Sequence, residues 1–276
     1  MLHFLHPEQR YDSLSAMLSS VRLYPARPVN CLGEFFDPRV VVSGADSFCG
    51  RWNADDIAQT LLETGCFAHW YKQGYEKIWV ELERSDIPNR FEFNVWTQCA
   101  QNSELLLQVV VWLEYQELLR LNASYPVFYV EHLRLQSPGK AFRGRAFPGQ
   151  DYPSSGLLRR VFGILRNWAC ACGAMMISEI PEYYHTAYLF SEYFCFVDEE
   201  MEGLFRAVQR DLGNRDLQEI SQAFEQGQIS YCGRPWLWPT EIQAYGLSHD
   251  LQARLRIAPN IIDSGHFELV RQCSGQ

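Results

Sequence analysis

A glutamate inside an apolar segment is the first residue of this sequence that could do acid–base chemistry. The segment VFYVEHLRLQ, residues 127–136, has the composition of a strand. Alternation along that strand would place five side chains on one face, those of Val127, Tyr129, Glu131, Leu133 and Leu135. Apolar neighbours remove water from a carboxylate and raise its pKa towards neutrality. The pattern predicts Glu131 as a general base, with His132 on the opposite face as the alternative.

Two tyrosines and a histidine later in the chain could also exchange protons. They lie in PEYYHTAYLF, a segment that favours a helix beginning after Pro181. In such a helix Tyr184 and Tyr188 share a face, because they are four residues apart. His185 could act as an acid or orient a second substrate. Packing in the core is the competing interpretation for the tyrosines.

The nine cysteines do not form a metal-binding pattern. Cys170 and Cys172 are two residues apart on a predicted helix, so their side chains point about 200° apart and cannot chelate one ion. No CxxC pair or paired histidines complete a site. We therefore expect no metal and reduced thiols, as in the cytosol. A cysteine-dependent hydrolase remains a weaker alternative, because a thiol and a histidine can meet in the fold.

The elements that must position these residues indicate an α+β fold. Strand patterns cover residues 76–83, 90–98, 104–115 and 127–136, with short polar connections typical of an antiparallel meander. A helix follows whose apolar residues share one face: Leu157, Leu158, Val161, Phe162, Leu165, Trp168 and Cys172. Short strands are predicted at residues 174–177 and 195–198, separated by the helix after Pro181. The full pattern is a meander followed by strand–helix–strand–helix–strand.

Three regions are predicted along the chain. Residues 1–52 contain several prolines and are expected to form an irregular N-terminal extension. Residues 53–200 would form the main domain, beginning with a helix capped by Asn53. Residues 201–276 would form a helical extension packed on the same domain, and either extension could make a homodimer contact.

Composition excludes several classes of function. A net charge of −9 repels phosphate backbones and argues against nucleic acid as a partner. The longest apolar run, near residues 105–113, is shorter than the roughly 20 residues that span a bilayer. The N-terminal sequence also lacks the pattern of a signal peptide. We expect a cytoplasmic protein without a membrane partner.

The order of elements from VFYVEHLRLQ through GLLRRVFGILRNWACACGAMMISEIP to YYHTAYLFSEYFCFV resembles the GNAT superfamily of N-acyltransferases. The resemblance covers about residues 76–198. It implies a GNAT-like mixed sheet with N- and C-terminal extensions. It also implies transfer of an acyl group, acetyl or longer, from an acyl-CoA or acyl-carrier thioester to an amine. A small amine or a peptide lysine would be the acceptor.

The resemblance also implies roles for individual residues. It places the catalytic base on the strand of Glu131 and the acid on the helix that carries Tyr184, His185 and Tyr188. A helix N-terminus after a glycine-containing turn would bind the pyrophosphate of acyl-CoA. The implied cofactor-binding residues are Leu133, Leu135, Gln150, Asp151, Ser154, Ser155, Gly156, Leu157, Arg159 and Arg160.

A second interpretation keeps the fold without the catalysis. When the first glycine of the family's turn is aligned with Gly156, Pro153 stands at the Arg/Gln position and Leu158 at the second glycine. A leucine side chain hinders the close approach of backbone to phosphate. The chain could therefore be a non-catalytic binding or scaffold module, in which Ser154 or Ser155 simply caps the helix.

Overall fold

The computed structural model describes residues 47–99, 102–118, 121–142, 144–256 and 265–270. These residues belong to one compact unit that spans Phe35–Gln276. The prediction of an irregular extension falls mostly on residues 1–46 and lies outside the described residues. Within the described part of the chain, helices and a mixed sheet confirm the α+β class. No helix in those ranges is long and apolar enough to cross a membrane.

The first half of the fold consists of two helices followed by four long strands. These elements are α1 (Ala54–Glu63), α2 (Cys66–Lys72), β1 (Ile78–Glu83), β2 (Arg90–Cys99), β3 (Asn102–Leu118) and β4 (Ala123–Leu135). Asn53 caps α1 as predicted: its side chain accepts a hydrogen bond from the Asp56 amide at 2.9 Å. The Asp56 carboxylate accepts one from the Asn53 amide in return, which completes a capping box.

The second half alternates shorter strands and helices. Its elements are α3 (Leu158–Ala171), β5 (Met176–Glu179), α4 (Tyr184–Phe190), β6 (Cys195–Phe196), α5 (Glu199–Leu212), α6 (Leu217–Glu225), β7 (Ile229–Tyr231), β8 (Arg234–Pro235), β9 (Gln243–Gly246), α7 (His249–Leu255) and β10 (Phe267–Leu269). The sequence predicted a helical extension for residues 201–276. This prediction is incomplete, because the segment also contains four strands.

A seven-stranded sheet in the order β1-β2-β3-β4-β5-β9-β6 forms the centre of the fold. The first four strands pair antiparallel and confirm the predicted meander. β4 and β5 are parallel, whereas β9 pairs antiparallel with both β5 and β6. The small sheet β10-β7-β8 is separate. β9 belongs to the C-terminal region of the chain. Sequence periodicity did not predict that this region contributes a strand to the main sheet.

The main core lies between one face of the meander and helices α1, α2 and α3. Its largest buried side chains include Trp70, Phe93 and Trp168. Phe48 and Cys49 are also fully buried in this core, so the main domain begins before residue 53. A second cluster of buried apolar side chains joins α4, α5 and α6. A third cluster lies beneath α7, on the face of β4, β5 and β9 that is opposite to the main core. Burial of these apolar faces stabilises the arrangement of strands that forms the candidate site.

Candidate functional site

A β-bulge in β4 reorganises the strand that carries the predicted base. Val111 of β3 lies opposite Val130, but Val110 lies opposite His132, so Glu131 is an extra residue without a register partner on β3. A bulge of this kind reverses the alternation of side chains beyond it. The prediction that one face carries Val127, Tyr129, Glu131, Leu133 and Leu135 is therefore wrong. Leu133 and Leu135 instead pack on the main core with Phe128 and Val130, whereas Val127 and Tyr129 belong to the third cluster.

The parallel pair β4 and β5 separates at the same place. The last register pair joins Val130 to Glu179, and β4 continues to Leu135 without a partner on that side among the described residues. A cleft of about 270 Å³ opens there, close to the lower limit for small-molecule sites. Its walls are β4 from Val130 onward, the loop 148–154, and the segment from Glu179 through α4. The bulge and the separation together make an open strand edge beside a cavity.

The cleft brings together some of the predicted site residues and not others. The predicted residues that line it are Glu131, Leu133, Leu135, Gln150, Asp151, Ser154 and His185. The predicted residues outside its lining are Ser155, Gly156, Leu157, Arg159, Arg160, Tyr184 and Tyr188. Leu158, the first residue of α3, also contributes to the lining, so the cleft reaches the start of that helix.

The carboxylate of Glu131 does not have the surroundings that its sequence neighbours suggested. Arg90 donates to it through Nε at 2.7 Å and through Nη2 at 3.3 Å, and Trp112 Nε1 also donates to it. These hydrogen bonds lower the pKa of Glu131, and the hydrogen bond from Arg90 has the largest effect. Partial burial acts in the opposite direction and raises the pKa. The predicted rise in its pKa is therefore wrong. Arg90, Trp112 and Glu131 lie on the face of β2–β4 opposite the main core, which we call the open face.

Glu179 is the ionisable group that sequence reasoning missed. It ends β5, is 8% exposed and lines the cleft where β4 and β5 separate. Its Oε1 atom has no hydrogen-bond partner among the described residues. Desolvation raises the pKa of Glu179 to about 8. The sequence pattern predicted that this strand ends at Ile177, two residues before Glu179. The isoleucines on either side of Glu179, Ile177 and Ile180, were the signal that its carboxyl group is buried.

A glutamine accompanies Glu179 in the sheet. Gln243 of β9 lies directly opposite Glu179 in the register and is fully buried. Neither its side-chain nitrogen nor its oxygen has a partner among the described residues. Buried polar groups without partners are costly, and they commonly mark positions that a ligand or an ordered water satisfies. Glu179 thus brings a buried polar group to the cleft, whose lining contains both polar and apolar side chains.

His185 lies in the cleft but is held as a neutral side chain. Its Nδ1 shares a hydrogen bond of 2.8 Å with the Ser221 hydroxyl. The imidazole ring stacks on Phe147 at 4.5 Å and on Tyr183 at 5.5 Å. Burial lowers the pKa of His185 to about 4. At neutral pH the ring can therefore position a ligand by hydrogen bonding, but it carries no charge.

The two tyrosines proposed as acids occupy other environments. Tyr184 is buried in the second cluster, where its ring lies 5.0 Å from that of Phe224. Burial raises its pKa strongly, which keeps the hydroxyl neutral. Tyr188 is 39% exposed. Tyr183, which the sequence did not suggest for the site, lines the cleft. Burial raises the pKa of Tyr183, and the charge of Glu182 raises it further.

The turn before α3 leaves the start of that helix uncapped by side chains. Leu157 is the N-cap residue and makes no capping hydrogen bond, so the suggestion that Ser154 or Ser155 caps the helix is wrong. Gly156 has φ +76°, a left-handed conformation that favours glycine. Arg160 donates to the Gly65 carbonyl at 2.7 Å, whereas Arg159 is exposed. The backbone N–H groups of the first helical turn can therefore donate hydrogen bonds to an anion.

No group of three histidine, cysteine or acidic residues in the described ranges could hold a metal ion. Cys170 is exposed and Cys172 is buried, as expected for residues on different sides of a helix. Cys49 lies beside Cys172 with burial raising its pKa well above the usual value, which makes it a poor nucleophile. Burial also raises the pKa of Cys66 and of Cys170, so none of these three thiols has the environment that activates a nucleophile.

Comparison with known proteins finds no matching family model and no matching curated protein sequence. The interpretation of the cleft thus depends on its own geometry and chemistry.

Proposed function

We propose that this chain is an N-acyltransferase that moves an acyl group from an acyl-CoA or acyl-carrier thioester to an amine. The observation that carries the proposal is the separation of parallel strands β4 and β5 at the Glu131 bulge, beside a cleft that reaches the start of α3. The order of elements noted in the sequence, which resembles the GNAT superfamily, supports the same function.

The donor would use the open strand edge and the helix start. The pantetheine arm of CoA is an extended chain with two amides, which can pair with backbone groups of β4 beyond Val130 in the manner of an added strand. Leu133 and Leu135 offer apolar contact along this edge. The pyrophosphate would meet the uncapped amides of α3, with exposed Arg159 in the same turn.

Glu179 is better suited than Glu131 to move the proton. The amine nitrogen forms a bond to the thioester carbonyl carbon, and the carbon–sulfur bond breaks. Glu179 takes the proton that the nitrogen loses and returns it to the departing thiolate, so that an amide and a free thiol are formed. A pKa of about 8 for Glu179 is close to that of a thiol, so transfer in both directions is feasible.

The test combines thermal unfolding with an assay for thiol release. Acetyl-CoA or a long-chain acyl-CoA at about a hundred times its dissociation constant should add nearly 3 kcal/mol to the free energy of unfolding. With an alkylamine or a lysine peptide present, free thiol and amide should then accumulate. An acyl-carrier protein loaded with the same acyl groups is the second donor. Absence of both binding and thiol release with every donor would refute the proposal.

The second candidate function is a binding module without catalysis. Its support is that Arg90 ion-pairs with Glu131 and that Arg160 is bonded to the Gly65 carbonyl, so two residues expected to serve chemistry are engaged in the fold. Donor binding without any thiol release, over a range of amines and pH values, would favour this candidate over the enzyme.

A further inference from the structure

A second pocket lies beside the cleft and shares part of its wall. Its volume is about 190 Å³, and it is lined by Glu182, Tyr183, Tyr184, Ser221, Phe224, Glu225, Leu237 and Trp238. Glu182 and Tyr183 also line the cleft, so they separate the two cavities. A ligand group in the second pocket would therefore be a close neighbour of whatever the cleft holds.

Four of the eight residues that line the second pocket are aromatic. The ring of Tyr184 lies 5.0 Å from that of Phe224 and 5.4 Å from that of Trp238. Trp238 stands nearly perpendicular to Tyr184, at 84°, and its Nε1 donates to the Pro181 carbonyl at 2.9 Å. This hydrogen bond holds the indole in place, so the aromatic surface is pre-formed.

Two carboxylates lie at this aromatic surface and have no cationic partner among the residues that the structure describes. Glu182 and Glu225 are exposed, and neither forms an ion pair with any lysine, arginine or histidine in the described ranges. Both act electrostatically on Tyr183, whose pKa is raised by burial, by the charge of Glu182 and its hydrogen bond, and by the charge of Glu225. Both carboxylates also line the pocket, so its lining carries two negative charges near Tyr183.

A buried hydroxyl without a partner also belongs to this lining. Tyr184 is 1% exposed, and its hydroxyl oxygen has no hydrogen-bond partner among the described residues. Because burial raises its pKa, this group stays a neutral hydroxyl that can accept a hydrogen bond from an ammonium. Unpartnered buried polar atoms call for an explanation, and a ligand supplies one.

We infer that the second pocket binds an organic cation of the alkylammonium class. Aromatic faces attract cations through their quadrupole, and carboxylates add a charge that an uncharged acyl chain would not use. The pocket is wide enough for a small ammonium head group but, because of its carboxylates, disfavours a purely apolar chain. The binding itself does not depend on the proposed acyl transfer. If that function holds, the pocket positions a cationic group of the amine acceptor next to the cleft.

The test compares choline with 3,3-dimethylbutan-1-ol, which has the same shape without the charge. The indole N–H resonance of Trp238, assigned by its loss in Trp238→Phe, reports binding by NMR in the full chain. Choline should shift this resonance to saturation, and the alcohol should bind at least about tenfold more weakly. Equal binding of both probes would identify an apolar pocket and overturn the inference, as would no shift with choline.

A matched pair of charge variants locates the effect. Glu225→Gln should weaken choline binding about fivefold or more, whereas Glu219→Gln should leave it unchanged. Glu219 lies on the same helix but pairs with Arg215 outside the pocket, so it controls for net charge. Equal effects of the two variants would show non-specific attraction and refute the site. Choline binding that persists when neither acyl-CoA nor acyl-carrier protein binds or releases thiol would refute the proposed function and leave this inference intact.

Discussion

The place where the open face of β2–β4 meets the cleft and the buried end of β5 inside the cleft carry carboxylates in opposite circumstances. On the open face, Glu131 is 37% exposed and bonded to Arg90 and Trp112, and its pKa is lowered. In the cleft, Glu179 is buried, one of its oxygens has no partner in the described part of the chain, and its pKa is raised to about 8. A paired carboxylate keeps its charge and supports the fold. An unpaired buried one can gain and lose a proton near neutral pH, which is what acid–base chemistry needs.

The largest expected effect is a difference in the rate of acyl transfer between variants of the two carboxylates. Glu179→Gln should reduce the rate of acyl transfer about 10²–10⁴-fold while donor binding stays within a few-fold, because the amide cannot carry the proton. Glu131→Gln should change the rate much less, since its carboxylate is engaged with Arg90. Thiol release and donor dissociation constants, measured in parallel, check this. A larger loss in Glu131→Gln than in Glu179→Gln would reverse the comparison.

The pH dependence of stability should have opposite signs for the two groups. Between pH 4.5 and about 8 the unfolded chain has lost the Glu179 proton while the folded chain retains it. Stability therefore falls as pH rises, by up to about 1.4 kcal/mol for each pH unit, and Glu179→Gln removes this slope. The pKa of Glu131 is lowered, so its stabilisation is present above the unfolded value and is lost as pH falls through the folded one.

Urea unfolding of both glutamine variants and the parent chain at several pH values measures these slopes. Because Glu131 is partly exposed, solvent screening limits its contribution to about 1 kcal/mol or less. Identical pH profiles of the parent chain and Glu179→Gln would show that Glu179 is ionised normally. The role given to the cleft would then fail.

The smallest expected effect concerns Tyr183, which lines both the cleft and the second pocket. A Cβ at Gly149 would lie 2.7 Å from the ring and hydroxyl of Tyr183, whereas a Cβ at Gly139 would meet no atom of the described ranges within 4 Å. Both glycines have φ near +70°, so Gly139→Ala reports the backbone strain alone, about 1 kcal/mol. Gly149→Ala should cost roughly 1–3 kcal/mol more, because Tyr183 must move.

The same pair of alanine variants should differ in ligand binding. Displacing Tyr183 alters both cavities, so Gly149→Ala should weaken donor and choline binding together, and Gly139→Ala should weaken neither. Equilibrium unfolding and the NMR titration provide the two measurements. Equal stabilities and equal binding of the two variants would show that Tyr183 is not held against Gly149.

Local patterns in the sequence predicted much of the fold. The Asn53 cap, the meander and the buried face of α3 follow from short-range periodicity, and the structure has all three. Seven residues that the sequence proposed for the site line one cleft: Glu131, Leu133, Leu135, Gln150, Asp151, Ser154 and His185. These features depend on residues close in sequence, whose spacing alone places them on a common face or loop.

Only the tertiary structure decided which side chains in that region can do chemistry. The bulge at Glu131 arises from the register between β3 and β4, and strict alternation cannot reveal it. Arg90, which lies on another strand, sets the state of Glu131, and the partner of Glu179 in the sheet arrives from β9 in the C-terminal region. The sequence by itself determined the elements and their buried faces. Charge state and burial depend on contacts between residues far apart in the chain, so they were settled only when the strands assembled.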